Sequence, residues 1–150
     1  MQNLKHLFAT LFLLIVIISG CTFTSSRTNS PGDIKDAEKV TNKFFDLIKR
    51  KSYDSIYPMF SKRFYDATPK AKLTEILTAT QNKLGDLQTT SVETSESKVV
   101  SGTTNSGQYF LVYANHHSKF DSKESVTLEK EENGKIQIVG YNINSEGFFK

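Results

Sequence analysis

The spacing of hydrophobic positions changes twice along this chain. From Leu7 to Ile18 the residues "LFATLFLLIVII" are almost all apolar. Between residues 33 and 84 apolar side chains recur every three or four positions, a spacing typical of amphipathic helices. After Gly85 apolar and polar residues alternate, which is the period of a β-strand. The pattern therefore predicts an apolar N-terminal segment, then helices, then a sheet.

Local start and stop signals define the helices. The first is predicted over "DIKDAEKVTNKFFDLIKRK", where Pro31 takes the first helical position and Ser30 and Asp33 have the spacing of a capping box. The region around Pro58 predicts one or two turns and a bend, because proline lacks an amide hydrogen. The last helix is predicted to end at Gly85, since glycine readily takes the left-handed conformation found at helix C-termini.

Four strands are predicted after the helices, joined as consecutive hairpins. They cover "LQTTSVETSESKVV", "QYFLVYANHHSKF", "KESVTLEKE" and "ENGKIQIVGYNI". In the third strand we expect Val126 and Leu128 to point inward and the charged residues outward. Asn133 and Gly134 form a strong hairpin signal before the fourth. Helices followed by hairpin-linked strands predict an α+β fold with a four-stranded antiparallel sheet.

The apolar N-terminal run is too short to cross a bilayer. A spanning helix needs roughly 20 apolar residues, whereas the hydrophobic region of a signal peptide has about 7–15. The sequence "ISGC" that follows (Ile18, Ser19, Gly20, Cys21) resembles the lipobox of bacterial lipoproteins, with Ile18 where leucine is commonest. The alternatives are an ordinary signal peptide with a coincidental cysteine, or an uncleaved anchor.

The lipobox resemblance implies a modification and a location. It implies cleavage between Gly20 and Cys21, and attachment of a diacylglycerol and an N-acyl chain such as palmitate to Cys21. The mature protein would then be lipid-anchored in the cell envelope, outside the cytoplasm. Because Thr22 is not aspartate, the resemblance points to the outer membrane if the organism has one. Cys21 is the only cysteine, so an internal disulfide and a multi-cysteine zinc site are excluded.

These observations divide the chain into three parts. Residues 1–20 are predicted to be a lipoprotein signal peptide and residues 21–32 a lipidated flexible tether. The tether prediction rests on "TFTSSRTNSPG", which is rich in Ser, Thr and Asn and lacks periodicity. Residues 33–150 are predicted to form a single α+β domain.

The charge of the chain limits the classes of partner that we expect. The formal net charge is only +3, from 19 basic and 16 acidic residues spread along the chain. A nucleic-acid-binding protein concentrates its positive charge in a patch or stripe. We therefore expect no nucleic-acid partner.

The last hairpin carries a second resemblance, over roughly residues 36–143. The chain is similar to small envelope lipoproteins with a domain of unknown function in the cystatin-like or nuclear-transport-factor-like superfamily. Their late strand has a pattern that is matched here by Gly134, Lys135, Val139, Gly140 and Tyr141, with Ile136 where an aromatic residue is commoner. The resemblance implies a bent sheet that wraps the helices into a cone. It implies little about function, because this superfamily includes binding modules, isomerases and inactive scaffolds.

One polar cluster could suggest a metal site. His116, His117 and Asp121 lie close in sequence. Adjacent residues of a strand point to opposite faces, so the two histidines of a regular strand cannot bind one metal. We expect a surface pair and no metal site.

An enzyme of the isomerase or hydratase type would need a buried acid or base in the cone. Tyr109, Tyr113 and Tyr141 are possible pocket residues. The acidic candidates Asp46, Asp54 and Asp66 all lie on predicted helix faces or turns. No nucleophile context, phosphate-binding loop or redox motif is found, so we predict no catalytic residue and no cofactor beyond the lipid on Cys21.

The predicted function is that of a non-enzymatic, lipid-anchored envelope protein that binds a protein partner or a small apolar ligand. Two alternatives stay open. An enzyme would show a deep cavity lined by tyrosine and one buried carboxylate. A structural subunit of an envelope complex would expose a large apolar patch or an open sheet edge.

Overall fold

The computed structural model of this protein describes residues 24–103 and 105–150. The predicted signal peptide and Cys21 lie outside the described residues. Four helices precede most of the sheet: α1 (Pro31–Lys49), α2 (Tyr53–Ile56), α3 (Lys62–Ala67) and α4 (Lys70–Leu84). The strands are β1 (Ser25–Thr28), β2 (Leu87–Ser101), β3 (Ser106–His117), β4 (Ser122–Lys130) and β5 (Ile136–Asn144). Short 3-10 helices span Tyr57–Met59 and Glu146–Phe149.

The sheet is antiparallel, and its strands lie side by side in chain order. In its register Tyr113 of β3 faces Glu124 of β4, and Val126 of β4 faces Tyr141 of β5. The α+β class, with helices followed by an antiparallel sheet, is confirmed. The number of strands differs from the prediction, because the described sheet has five strands and not four.

The helices cover one face of the sheet. Along β3 every second residue is buried, including Tyr109, Leu111 and Tyr113, whereas Phe110 on the other face is 40% exposed. Helix α1 contributes buried Ala37, Phe44 and Phe45 to the core, as the spacing of its apolar residues requires. No helix in the described part of the chain is long and apolar enough to cross a membrane.

The helix ends follow the predicted signals closely. Helix α1 begins at Pro31, but Ser30 makes no side-chain capping bond. Asp33 instead accepts hydrogen bonds from the Arg27 guanidinium, at 3.0 Å from Nε and 3.1 Å from Nη2. Helix α4 ends before Gly85, whose φ of +86° is positive as expected, although its ψ of −169° lies outside the left-handed helical region.

Part of the segment predicted as a tether belongs to the sheet. Ser25–Thr28 pair with Lys98–Ser101 at the end of β2. Beyond β1, the Asn29 amide donates to the Ser97 carbonyl, and the Ser97 amide donates to Asn29 Oδ1, both at 2.8 Å. A four-residue polar strand has no hydrophobic signal, so its pairing with distant residues could not be predicted. The segment left for a tether is residues 21–24.

Most of β2 has no strand on its outer side. In the described part of the chain β1 covers only Lys98–Ser101, and β3 pairs with the other side of β2. The residues from Thr89 to Glu96 are therefore an open sheet edge, which we call the β2 edge. They are exposed or half-buried, and Val92 is 41% exposed.

We predict that Gly85→Ala destabilises the fold more than Gly134→Ala. Both glycines have a positive φ, +86° and +84°, so each substitution incurs about 1–3 kcal/mol of backbone strain. A Cβ at Gly134 meets nothing within 4 Å, whereas one at Gly85 overlaps the Ser118 hydroxyl and lies 3.1 Å from the Lys119 amide nitrogen. Crowding should add about 1–3 kcal/mol at Gly85. Urea denaturation measures both losses, and equal losses would contradict the described packing around Gly85.

Candidate functional site

A carboxylate lies inside the helix-facing side of the sheet. Glu124 is 1% exposed and shares the inward positions of β4 with Ser122, Val126 and Leu128. Burying an ionised carboxylate costs several kcal/mol unless hydrogen-bond donors replace its water. The hydrogen-bond partners of Glu124 therefore determine whether this site can hold an ionised carboxylate.

Three side chains surround the two oxygens of Glu124. The Ser122 hydroxyl donates to Oε1 at 2.7 Å, and the Tyr141 hydroxyl donates to Oε2 through a short hydrogen bond. His117 Nε2 lies 3.3 Å from Oε1. We call these four residues the Glu124 cluster. They come from β3, β4 and β5, so the cluster joins three neighbouring strands at the end of the sheet where β4 begins.

His117 joins this cluster to the end of helix α4. Its ring is 3% exposed, and its Nδ1 lies 3.3 Å from the carbonyl oxygen of Gly85, which can only accept. Its Nε2 is 3.0 Å from the Ser122 hydroxyl oxygen. The Ser122 hydroxyl has one proton. When that proton is donated to Glu124, a proton on His117 Nε2 has the Ser122 hydroxyl oxygen and Glu124 Oε1 as acceptors.

The surroundings shift two pKa values in opposite directions. Burial raises the pKa of Glu124, but hydrogen bonding outweighs burial and leaves this pKa below its ordinary 4.5; the groups responsible are His117, Asn115, Tyr141 and Ser122. The Asn115 amide acts by proximity, since its buried Nδ2 makes no hydrogen bond of regular geometry to a described residue. Burial, followed by the charge of Glu124, raises the pKa of Tyr141 well above 10. Glu124 is therefore an acceptor at neutral pH, and Tyr141 remains a donor.

The cavity beside the Glu124 cluster is small. It measures about 20 Å³ and lies between α1, α4 and the sheet, with His117, Glu124, Tyr141 and Tyr53 among its lining residues. That volume accommodates a water molecule, whereas small-molecule sites have roughly 300–1,000 Å³. The Tyr53 hydroxyl donates to Gln81 Oε1 at 2.6 Å and so is already paired. The cluster is a satisfied polar network next to a filled interior.

The three tyrosines predicted as possible pocket residues lie apart. Only Tyr141 borders the cavity. The Tyr113 hydroxyl forms a short hydrogen bond with Thr41, and its ring packs 4.7 Å from that of Phe45. The Tyr109 hydroxyl is buried without a hydrogen-bond partner among the described residues. The structure does not bring the three hydroxyls to one point.

The adjacent histidines point to opposite faces, as strand geometry requires. His116 is exposed, and its Nδ1 lies 2.6 Å from Asp121 Oδ1. His117 is buried, so the expectation of a surface pair is wrong for this residue. Within residues 24–103 and 105–150, no three His, Cys, Asp or Glu side chains are placed to share a metal ion.

Glu124 and His117 are the site residues that sequence reasoning missed. The expectation that the charges of β4 point outward is wrong for Glu124. A signal was present, because Glu124 has the same parity as Val126 and Leu128, the residues expected inward. Taking every glutamate in the strand as a solvent-facing residue hid this signal.

Larger concavities lie on the surface. One of them, about 450 Å³, lies around Phe110 and is also lined by Arg63 of helix α3. Its sides are mostly polar or charged, and Arg63 Nη1 lies 2.8 Å from Glu129 Oε1 there. Binding sites for apolar ligands are lined mainly by hydrophobic and aromatic side chains. This groove therefore does not have the lining of an apolar-ligand site.

We predict that Glu124→Gln flattens the acid dependence of stability. The folded-state pKa of Glu124 is lowered, so its contribution is present above about pH 4.5, the ordinary value, and is lost as the pH falls through the folded-state pKa. In the native protein the free energy of unfolding should fall below that pH, and the fall should be smaller in Glu124→Gln. At neutral pH the variant should lose about 1–3 kcal/mol, since buried donors lose a charged acceptor.

The matched control is Asp121→Asn, which changes an exposed carboxylate that also faces a histidine. Its stability at neutral pH should stay within about 0.5 kcal/mol of the native protein. Urea denaturation between pH 3 and pH 7 provides the measurement. If Asp121→Asn flattened the acid dependence as much as Glu124→Gln, the role assigned to Glu124 would be wrong.

Comparisons with protein-family models, with curated proteins and with solved structures found no match.

Proposed function

We propose that this protein is a lipid-anchored cell-envelope protein whose domain binds a partner protein along the β2 edge and has no catalytic role. The anchor rests on the resemblance of "ISGC" to a lipobox, with Cys21 as the acylated residue. The location would be the extracytoplasmic side of the envelope, at the outer membrane if there is one. The observation that carries the binding role is the open edge of β2.

The β2 edge offers an unpaired row of backbone donors and acceptors. From Thr89 to Glu96 it is roughly 25 Å long at about 3.3 Å per residue, enough for a typical added strand. An extended segment of another protein can add to such an edge through main-chain hydrogen bonds. Three threonines and one valine, residue types that favour strands, lie along it. The same edge favours a structural subunit of an envelope complex as one form of this binding role.

At both ends of the β2 edge, backbone groups are already hydrogen-bonded within the protein. At one end Lys49 Nζ donates to the Gln88 carbonyl at 2.7 Å. At the other end Asn29 bonds both backbone groups of Ser97. A register shift between Val92 and Thr94 interrupts the ladder in the middle. Natural edges use such bulges against indiscriminate pairing, so the partner segment must match this break.

We also propose that the domain has the cystatin-like cone fold, in which a bent sheet wraps the helices. Support comes from register shifts in β2 (Leu87/Thr89 and Val92/Thr94) and in β4 (Thr127/Leu128), because bulges bend strands and increase their twist. Helices packed on one face of the sheet are consistent with a cone that encloses them. In this fold class the function varies from protein to protein, so the cone itself adds no activity.

A second candidate is an enzyme of the isomerase or hydratase type. The observation in its favour is that Glu124, Tyr141 and His117 meet beside a cavity, an arrangement of buried carboxylate and tyrosine. A substrate would need roughly 300 Å³, whereas the cavity has about 20 Å³. Small apolar compounds that raised the melting temperature of the native protein but not of Glu124→Gln would favour this candidate.

We predict that Cys21→Ser abolishes lipid attachment. Cells fed labelled palmitate should incorporate it into the full-length protein and not into the variant, because Cys21 is the only thiol in the chain. Thr22→Ser, one residue away, should retain the label. Label in Cys21→Ser, or none in the native chain, would overturn the lipid-anchor proposal.

We predict that Val92→Lys prevents partner binding, because an inward-pointing charge on an edge strand opposes strand addition. A photoreactive residue at Ser91 of the full-length protein should crosslink to one partner in cells and lose that adduct in Val92→Lys. Phe110→Lys is the matched control, since Phe110 is 40% exposed on the sheet face and Val92 is 41% exposed at the edge. Loss of the adduct in Phe110→Lys alone would place binding on the sheet face and contradict the proposal.

A further inference from the structure

The point at which the chain enters the sheet is held by several contacts. Ser25 pairs with Ser101, so β1 begins where β2 ends. The Arg27 guanidinium holds the Asp33 carboxylate through two hydrogen bonds, which tie β1 to the first turn of α1. Asn29 bonds the backbone of Ser97. The position of Ser25 relative to the rest of the domain is therefore defined.

Only residues 22, 23 and 24 separate Cys21 from Ser25. A fully extended chain spans at most about 3.6 Å per residue, so the two Cα atoms lie within about 14 Å of each other in any conformation. A lipid on Cys21 would hold that residue at the bilayer surface. The end of the sheet that contains Ser25 would then lie within about 14 Å of the headgroups.

We propose that the anchored domain contacts the lipid headgroups with the end of the sheet that contains Ser25. This inference rests on the proposed lipidation of Cys21. The contacting surface consists of the start of β1, the ends of β2 and β4 (Ser101 and Lys130), and the turn between β4 and β5 (residues 131–135). The register places them together, because Ser25 faces Ser101 and Gly107 faces Lys130. We call this the anchor end.

The side chains of the anchor end suit headgroups and not hydrocarbon. The turn between β4 and β5 is exposed and polar, with Glu131 and Glu132 beside Lys130 and Lys135. Together with Lys130 at the end of β4, this turn carries two positive and two negative side chains, so it has no net charge by which it could select anionic lipids. The lipid and the short connection would therefore set the orientation, which should depend little on salt or on anionic lipid.

The opposite end of the sheet would point away from the membrane. Strand β3 runs from Ser106 to His117 and is roughly 36 Å long at about 3.3 Å per residue. The Glu124 cluster lies at that far end, as does the 3-10 helix Glu146–Phe149, whose Gly147 lies against Leu84 and Phe120. Phe149 of this helix is 89% exposed. The β2 edge begins at Glu96, about 16 Å along the strand from Ser101. A partner segment would therefore bind above the headgroups, within reach of a soluble or anchored envelope protein.

Two labelled variants test this orientation. Glu132→Cys places a fluorophore at the anchor end and Phe149→Cys places one at the far end, and acylation of Cys21 leaves each new thiol as the only free one. The mature lipidated chains are reconstituted into phosphatidylcholine vesicles that contain a quencher on the lipid headgroup. We expect quenching several times stronger at residue 132 than at residue 149. Equal quenching, or stronger quenching at residue 149, would overturn the inference.

A lengthened connection provides the control. A Gly/Ser insertion of about 20 residues after Thr24 adds a reach of roughly 25 Å and should reduce the difference between the two labels. A difference that persisted after insertion would show a surface with its own lipid affinity and would contradict the role given to the short connection. Flotation and the mass of Cys21 are measured in the same samples. Chains that neither float nor carry lipid would overturn the proposed function itself, whereas lipidated chains with equal quenching would overturn only the orientation.

Discussion

A carboxylate can lie in an apolar interior only if donors replace its water, and the end of this sheet is built around that requirement. The donors to Glu124 come from β4 itself, from β5 through Tyr141 and from β3 through His117. The His117 ring also lies against the end of α4, with its Nδ1 3.3 Å from the Gly85 carbonyl oxygen. The buried charge of Glu124 thus constrains how three strands and a helix terminus are arranged. Displacing any partner would remove a hydrogen bond from this charge.

The rest of the interior is filled by aromatic packing. The ring centroids of Phe44 lie 5.2 Å from Phe45, 5.7 Å from Phe60 and 5.0 Å from Tyr141, at tilted or edge-to-face angles that such pairs prefer. This packing leaves only about 20 Å³ beside the Glu124 cluster. A row of unpaired backbone groups lies instead on the outside of the described structure, along the β2 edge. The contrast between the filled interior and this open edge is consistent with the proposed binding role.

The successes and failures of the sequence predictions have one physical origin. Pro31, Gly85 and the Asn133–Gly134 turn act through their own backbone preferences, so the helix ends and the last hairpin could be predicted from a few neighbouring residues. Strand β1 has no apolar residue, and its pairing partners lie some 70 positions away in the chain. The predicted four-stranded sheet lacked this strand for that reason. The burial of Glu124 was hidden similarly, since its donors lie on other strands.

The amino-acid pattern alone predicted the α+β class and the order of the helices and of the four strands that follow them. Those properties depend on local conformational preference and on hydrophobic period, both of which act within a few residues. The folded structure was needed to see that Ser25–Thr28 join the sheet, that β2 keeps an open edge, and that Glu124 and His117 are buried together. Each of these depends on which distant groups become neighbours, and such neighbours exist only once the chain has folded.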